Sequence, residues 1–313
     1  MPTITEQLTQ LVSDKNDLIN NLETKGITGL TGDETFTELI PEVLNIPSGE
    51  DLSEYFTGTV EKGKYAGSES IAGIQHAIKK IPKNSIANGT DISYAFAKCE
   101  NLITCPEIIT TGVTNTEYMF YGCSNLTTVS LFDTSDVIYM NDMFYDCHQL
   151  TAIPNFDTSN VTHMSSMFNG CYHLTTIPNF DTSNVINMNK MFYSSSSSYW
   201  EILPLLKCDS VISINQIFYT SSNRYPHLTT LGGFKNLGKA YLTTESSNYN
   251  NYKLDLHGLT NLTHDSLMNI INNLYDIATT GVAQQSLVLG STNLAKLTTE
   301  EIAIATNKGW AVS

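Results

Sequence analysis

The sequence predicts an α/β fold built as a solenoid of 24-residue repeats, and three observations lead to this prediction. The dipeptide Met-Phe recurs at a constant spacing, at residues 119/120, 143/144, 167/168 and 191/192. Leucine keeps the same spacing in a second column, at Leu102, Leu126, Leu150 and Leu174. Within one repeat, the apolar pattern changes from helical to strand-like spacing. A fixed period of this length is typical of arrays in which each unit buries its apolar face against the next.

The unit that starts at Val161 shows how one repeat is expected to fold. Its first half places apolar side chains on one face of a short helix, at Val161, Met164, Met167, Phe168 and Cys171. Its second half, residues 174–180, is rich in apolar and β-branched residues and leads into an Asp-Thr-Ser-Asn cluster. That pattern favours a short strand followed by a turn. We therefore predict a strand, a turn, a short helix and a return in each unit.

The cysteines and the aspartates of the repeats raise the question of a metal site. Four of the six cysteines are 24 residues apart, so they follow the repeat, and we expect them to be small buried apolar residues. The Asp-Thr-Ser triplets that begin at residues 133, 157 and 181 fit either a ladder of calcium ligands or side-chain-capped turns. One carboxylate per unit supplies too few oxygens for calcium. We therefore favour turns, and we expect no metal and no cofactor.

The combination of columns carries a family resemblance. The pattern MF-x-x-C-x-x-LTTIP-x-FDTSNV, over roughly residues 90–235, resembles the BspA-like leucine-rich repeats found in bacterial surface and phage proteins. The resemblance implies a leucine-rich-repeat-like solenoid with a parallel sheet on one face. Members of that family are associated with adhesion to cells or matrix, so it also implies a binding function.

The chain divides into four predicted regions. We expect a helical attachment or oligomerisation module at residues 1–48 and a linker with an N-terminal cap at 49–90. The repeat solenoid follows at 91–240, and βα repeats that form a C-terminal cap occupy 241–313. Within the last region, the predicted elements are strands in KLDLHG and QSLVLG, a helix at 266–278, a second helix opened by a capping box at 298–301, and a final strand after residue 309.

The N-terminal segment has the spacing of a short coiled coil. Its apolar residues step by three and four, with Lys15 at one core position, and the apolar members are Ile4, Leu8, Leu11, Leu18 and Leu22. One interpretation is a homo-oligomer such as a trimer, and the other is an amphipathic helix that packs on a second helix around residues 35–44. The segment is also similar to N-terminal segments of phage tail-associated proteins, which implies attachment to a structural protein of the virion.

Charge and motifs exclude several function classes. The chain has 16 Lys and Arg against 31 Asp and Glu, a net charge of -15, which disfavours nucleic acid and anionic membranes as partners. It contains neither the roughly 18 apolar residues of a spanning helix nor the basic and apolar start of a signal peptide. We therefore expect no membrane insertion and synthesis in a host cytoplasm. The sequence also lacks the common catalytic motifs, so we expect no enzyme.

Two insertions at one corner of the repeat suggest where a partner binds. YSSSSSYW adds two residues to its unit and YTSSNRYPH adds four, and insertions in repeat arrays often map to the binding face. A column of mostly tyrosine leads into this corner, at Tyr121, Tyr145, Asn169, Tyr193 and Tyr219. These rings are either exposed for stacking on a partner or packed in a half-buried groove between units. The candidate partner-binding residues are Tyr121, Tyr145, Tyr193, Tyr199, Tyr219, Arg224, Tyr225 and His227.

These observations lead to one main hypothesis and two alternatives. The main hypothesis is a non-enzymatic phage tail or virion-type adhesin, which presents the solenoid to a glycan or protein on a host cell. The alternatives are a structural or decorating protein of a phage-like particle and a bacterial surface adhesin.

Overall fold

The computed structural model describes residues 59–60, 81, 85–193, 201–218, 225, 227–242, 253–281 and 283–313. Within these residues the fold is mixed α/β, with small parallel sheets and few helices. The predicted N-terminal module and its coiled-coil residues Ile4, Leu8, Leu11, Leu18 and Leu22 lie outside the described residues, and so does almost all of the predicted N-terminal cap. The structure therefore leaves the oligomerisation hypothesis as a prediction.

The repeat region contains short strands that pair in parallel. The strands are β1 (Thr59–Val60), β2 (Ser85–Ala87), β3 (Thr104–Cys105), β4 (Ile108–Ile109), β5 (Thr128–Val129), β6 (Ile202–Leu203), β7 (Leu206–Lys207), β8 (Thr230–Leu231) and β9 (Phe234–Lys235). They form sheets in the orders β1-β2-β4, β3-β5, β6-β8 and β7-β9. Equivalent positions of successive units face each other, as Thr104 faces Thr128.

A row of single β-bridges extends this register between the strands. Each member pairs in parallel with the equivalent residue of the next unit, and the row is Asp91, Asn115, Tyr139, His163, Asn187 and Ser213. Successive units therefore lie side by side over residues 91–213, in the order in which they occur in the chain.

The short helix predicted in each unit is wrong. Between residues 85 and 193, and again between 201 and 218, the described backbone forms turns and contains no helix. In the unit of Met167, three N–H groups bond to the carbonyl three residues earlier, at Met167, Asn169 and Cys171. The N–H groups between them donate to the next unit instead: Ser166 to Asn189, Phe168 to Met191 and Gly170 to Tyr193. An α-helix would keep all these bonds within its own segment.

One position of each unit explains why the helix does not form. The residue two before Phe in every unit has a left-handed backbone, with φ between 54° and 58°, at Tyr94, Tyr118, Asp142, Ser166, Lys190 and Gln216. This φ interrupts a right-handed helix and redirects the next N–H towards the neighbouring unit. The apolar spacing that resembled a helix arises because the turns bring the same residues to the core.

The strand predicted at residues 174–180 is also absent, although its pairing with the previous unit persists. The N–H of Thr175 donates to the carbonyl of Thr151 at 3.0 Å, and the N–H of Thr151 donates to that of Thr127 at 3.1 Å. The hydroxyls of Thr175 and Thr151 donate to the same carbonyls. A ladder of single bonds therefore replaces the longer strand.

The core is a ladder of stacked side chains. Phenylalanine rings of successive units lie parallel, with centroids 5.5 to 6.0 Å apart, at Phe96, Phe120, Phe144, Phe168, Phe192 and Phe218. The cysteines are buried and free, as predicted. The thiol of Cys147 donates to the carbonyl of Phe120 at 3.1 Å, and burial raises the pKa of the Cys99 thiol to about 12.

The turn interpretation of the Asp-Thr-Ser triplets is confirmed. Oδ1 of Asp157 accepts hydrogen bonds from the N–H and the hydroxyl of Ser159, at 3.0 and 2.7 Å. These bonds lower the pKa of Asp157. The buried hydroxyl of Thr158 donates to the carbonyl of Asp181 in the next unit at 2.9 Å. Among the described residues, no group of three His, Cys, Asp or Glu side chains is arranged to hold a metal ion.

The C-terminal region follows the predicted order of strands and helices, but the helix predicted at residues 266–278 ends at Asn273, and the short helix Gly290–Leu294 was not predicted. A parallel sheet contains β10 (Lys253–Asp255), β11 (Gln285–Val288) and β12 (Trp310–Val312), and the helices are α1 (His264–Asn273), α2 (Gly290–Leu294) and α3 (Thr299–Asn307), after a 3₁₀ turn at Lys239–Leu242. The capping box of Thr298 and Glu301 is present. In the described part of the chain, no helix has the length and apolar character that crossing a membrane requires.

The left-handed position gives a stability prediction. We expect Gln216→Gly to raise the free energy of unfolding by about 0.5 kcal/mol. A left-handed backbone costs an L-residue about 1–2 kcal/mol, and the greater freedom of unfolded glycine offsets part of the gain. Gln216 is exposed, so the change removes little packing. Urea unfolding of Gln216→Gly and of the control Gln216→Ala measures the effect, and equal stability of the two variants would contradict this account.

Candidate partner-binding surface

The turns that follow the phenylalanine ladder bring polar and aromatic side chains of three units together. We call this surface the corner patch, and its members are Tyr145, Asp146, His148, Asn169, Gly170, Tyr172 and Tyr193. Two backbone bonds fix their register: the N–H of Asp146 donates to the carbonyl of Asn169 at 2.8 Å, and the N–H of Gly170 donates to that of Tyr193 at 3.2 Å. The backbone hydrogen bonds between units therefore hold the residues of the corner patch in register.

The tyrosine column is packed before it reaches the patch. The rings of Tyr121 and Tyr145 stack at 5.1 Å, and both residues are half-buried. Tyr121 also contacts Tyr118 edge-on, and Tyr118 stacks on Tyr94 at 4.5 Å. Rings that stack along the column cover each other's faces and leave edges and hydroxyls to solvent. This geometry matches the alternative in which the tyrosines fill a half-buried groove between units.

Asn169 takes the place of a tyrosine in this column and is buried, with 6% of its surface exposed. Its backbone N–H bonds to the carbonyl of Ser166 at 3.0 Å. Its side-chain amide has no hydrogen-bond partner among the described residues. Such an amide costs folding free energy of about 1–3 kcal/mol unless something else satisfies it.

The carboxylate of Asp146 packs over Gly170, the residue that follows Asn169. Gly170 has a φ of 78°, and a side chain there would collide with the carboxylate of Asp146. The same carboxylate lies 3.6 Å from Nε2 of His148. The imidazole of His148 stacks at 4.9 Å on the ring of Tyr172, which is 37% exposed. Asp146, His148 and Tyr172 thus present a carboxylate and an aromatic pair to solvent.

The far side of the patch carries a positive charge. Nζ of Lys190 lies 5.5 Å from the ring centre of Tyr193 in the same unit. This cation–π contact places a positive charge beside Tyr193.

The candidate residues from the sequence differ in exposure, and some lie outside the described residues. Tyr121, Tyr145 and Tyr193 are half-buried, and His227 is exposed. Tyr199, Tyr219 and Arg224 lie outside the described residues.

Tyr225 requires a correction. Its ring is 1% exposed and meets Phe218 edge-on at 5.5 Å, and its hydroxyl donates to the carbonyl of Phe192. Tyr225 therefore belongs to the core and cannot present its ring to a partner. The composition of the inserted loop predicted an exposed ring. Instead, the ring covers the last phenylalanine of the ladder, Phe218, and is buried there.

Sequence reasoning missed four members of the patch: Asp146, His148, Gly170 and Tyr172. The available signal was the repeat itself, since His148 and Tyr172 are 24 residues apart and follow the cysteine column. The change from Tyr to Asn at residue 169 was visible in the sequence, but the missing hydrogen bond was not.

A second carboxylate, Asp142, lies in the neighbouring column and is half-buried. Burial raises its pKa from the ordinary value of 3.8 to about 6, although hydrogen bonds with Tyr118 and Ser166 lower it. The charge of Glu117 raises it further. Asp142 in turn contributes to the raised pKa of Tyr145, after burial and Asp146. The ionised form of Asp142 is therefore disfavoured in the folded protein.

This shift predicts a pH-dependent effect of Asp142→Asn. A raised pKa contributes stability that is complete below the unfolded value of 3.8 and is lost as the pH rises through about 6. The variant should therefore match the wild type near pH 4. Above pH 6 the free energy of unfolding of the variant should exceed that of the wild type by about 1 kcal/mol. This figure is reduced for solvent screening, because the group is partly exposed.

Urea unfolding at about pH 4 and about pH 8 tests this prediction. The exposed Asp136→Asn is the matched control, and the gain should be specific to Asp142. A stability difference between Asp142→Asn and wild type that is constant over this pH range would contradict the assignment.

Comparison with known families gives one match. A family model described as "Mycoplasma protein of unknown function, DUF285" matches residues 90–202 and 149–228. The two matches overlap and together span less than half of the 313-residue chain. No curated protein matches the sequence. The matched residues coincide with the units described above, so this part of the chain is similar to a repeat family.

Proposed function

We propose that this chain is a non-enzymatic adhesin of virion type, which presents a leucine-rich-repeat-like solenoid to a partner on a host-cell surface. The observation that carries the proposal is the corner patch. It combines an exposed aromatic pair, a carboxylate and an unsatisfied amide on a scaffold whose backbone is tied to both neighbouring units.

The solenoid part of the proposal is supported by the pairing of equivalent residues. The bridge row pairs each unit with the next from Asp91 to Ser213, and the phenylalanine ladder runs alongside from Phe96 to Phe218. The leucine, cysteine and phenylalanine columns of the BspA-like pattern all lie in the core. An array in which each unit contacts its neighbours offers an extended surface for binding.

A binding role is favoured over catalysis by the chemistry of the reactive groups. Burial raises the pKa of the Cys99 thiol to about 12 and also raises those of the other repeat cysteines, so their nucleophilic thiolate forms are suppressed. The corner patch instead offers ring surface and hydrogen-bonding groups, which are typical of recognition surfaces.

A structural or decorating role is the second candidate, and one observation favours it. The rings of Tyr94 and Tyr118 stack on each other, as do those of Tyr121 and Tyr145, and the two pairs meet edge-on, so these tyrosines use much of their ring surface within the protein. In that case the solenoid is a spacer, and single exposed aromatic residues have no effect on cell binding.

Two exposed tyrosines provide a matched test of the adhesin proposal. Tyr172 stacks on His148 within the patch, and Tyr139 packs at a tilt against His163 in another column, with exposures of 37% and 40%. Labelled full-length chain is incubated with a panel of intact bacterial cells, Gram-positive species included, and binding is measured by flow cytometry. We expect Tyr172→Ala to raise the chain concentration at half-saturation about tenfold, which is the usual effect of losing an aromatic anchor. Tyr139→Ala should leave that concentration unchanged.

Two outcomes would count against this proposal. Equal effects of the two substitutions would remove the corner patch as the binding surface. Absence of wild-type binding to every cell in the panel would favour the spacer role.

A further inference from the structure

An open groove crosses three successive units, on columns of the repeat that do not belong to the corner patch. Two columns of residues line it, one on each side of the buried valine column: Gly112, Asp136 and Asn160 before the valines, and Thr114, Ile138 and Thr162 after them. The groove has a volume of about 400 Å³. At Gly112 no atom lies within 4 Å of the position that a Cβ would take, so this end of the groove is open.

The wall that follows the valines keeps its hydrogen-bond donors within the protein. The N–H of Ile138 donates to the carbonyl of Thr114 at 2.8 Å, and that of Thr162 donates to the carbonyl of Ile138 at 2.9 Å. The hydroxyls of Thr114 and Thr162 donate to the carbonyls of Thr90 and Ile138, each at 3.3 Å. The hydroxyl of Thr162 also lies 2.8 Å from Nδ1 of His163. What this wall offers a ligand is therefore mainly the aliphatic side chain of Ile138, which is half-buried.

The wall that precedes the valines has an unpaired carboxylate. The side-chain amides of this column donate to the previous unit, Asn184 to the carbonyl of Ser159 at 2.6 Å and Asn160 to that of Ser135 at 2.7 Å. Asp136 is the equivalent residue one unit earlier, and a carboxylate has no N–H with which to make this bond. Its exposed carboxylate forms no hydrogen bond or ion pair within the described part of the chain. The amide ladder therefore ends in a negative charge in the groove.

The groups that remain free in the groove match an ammonium group on an apolar stem. The carboxylate of Asp136 and Oδ1 of Asn160 accept hydrogen bonds, whereas an ammonium group donates three and accepts none. Lysine packs its methylene stem along apolar surface while its charged end stays at a polar group, and Ile138 supplies the apolar surface here. The net charge of -15 on the chain attracts a cationic partner and repels an anionic one.

We propose that this groove binds a lysine side chain from an extended segment of a protein partner, with the ammonium group at Asp136 and the stem along Ile138. Parallel neighbours are about 4.8 Å apart, so three units span about 10 Å, the length of about three residues of extended chain. The inference goes beyond the adhesin proposal, because it assigns a cationic peptide ligand to a different surface from the corner patch.

Two substitutions separate the charge from the apolar wall, and each uses a residue that the same column already contains. Asp136→Asn removes the charge and introduces the residue found one unit later, at Asn160. Ile138→Thr removes part of the apolar wall and introduces the residue found at Thr114 and Thr162. Both replacements therefore suit the fold. Glu107→Gln removes an exposed carboxylate outside the groove and is the matched control.

The probe is Nα-acetyl-lysine methylamide, titrated into the full-length chain and followed by the shifts of backbone amide signals in NMR spectra. Nα-acetyl-norleucine methylamide has the same stem without the ammonium group. We expect the dissociation constant of the lysine probe to rise about fivefold in Asp136→Asn, as loss of an exposed ion pair predicts. Ile138→Thr should raise it about threefold through lost apolar contact, and Glu107→Gln should leave it unchanged.

Three results would overturn the lysine groove: equal affinity of the wild type for the lysine and norleucine probes, unchanged lysine affinity in Asp136→Asn, or no binding at tens of millimolar lysine probe. The same titration on Tyr172→Ala separates this inference from the adhesin proposal, and we expect that variant to bind the probe as the wild type does. If the probe binds in an Asp136-dependent manner while the chain binds no cell, the groove is supported and the adhesin proposal fails.

Discussion

The structure depends on one constraint, which is that half of the backbone N–H groups in each turn must find a carbonyl in the next unit. In the unit of Met167, the N–H groups of Ser166, Phe168 and Gly170 all leave their own unit. A buried N–H without a partner is costly, so a unit cannot fold without its neighbour. The 24-residue period of the units from Asp91 to Asn187 follows, because these bonds join equivalent residues of successive units.

The same hydrogen-bonding constraint also stacks equivalent side chains of successive units on one another. Equivalent residues lie one strand spacing apart, so phenylalanine stacks on phenylalanine, and the thiols of Cys123, Cys147 and Cys171 donate to the carbonyl of the preceding unit's phenylalanine. The left-handed residues, such as Ser166 and Lys190, have a strained backbone, and this conformation allows the hydrogen bonds between units to form. Variation is then restricted to side chains that point away from the core. The corner patch is one such place, and the step from Tyr145 to Asn169 changes its chemistry without changing its backbone.

Polar groups in the columns carry energetic penalties that packing must offset. Asp142 is held with a raised pKa, and the amide of Asn169 is buried without a partner among the described residues. Asn169 also departs from the tyrosines that occupy the equivalent positions of the neighbouring units, Tyr145 and Tyr193. Residues of this kind are expected where a surface recognises something, because the ligand then supplies the missing interaction. The proposal for adhesion rests on that reasoning.

By itself, the sequence determined the period, the core columns of the repeat, the buried free cysteines, the capped Asp-Thr-Ser turns and two of the C-terminal helices. These depend on spacing and local hydrogen bonding, such as the capping box of Thr298 and Glu301, which the chain encodes at short range. The tertiary structure alone decided between helix and turn, because no glycine occupies the left-handed position two residues before phenylalanine, and the carbonyls that accept its N–H bonds lie 23 to 25 residues away. It also placed Tyr225 in the core, stacked Tyr121 on Tyr145 and left the amide of Asn169 unpaired among the described residues. Burial and pairing depend on which units become neighbours, and that is fixed only when the stack forms.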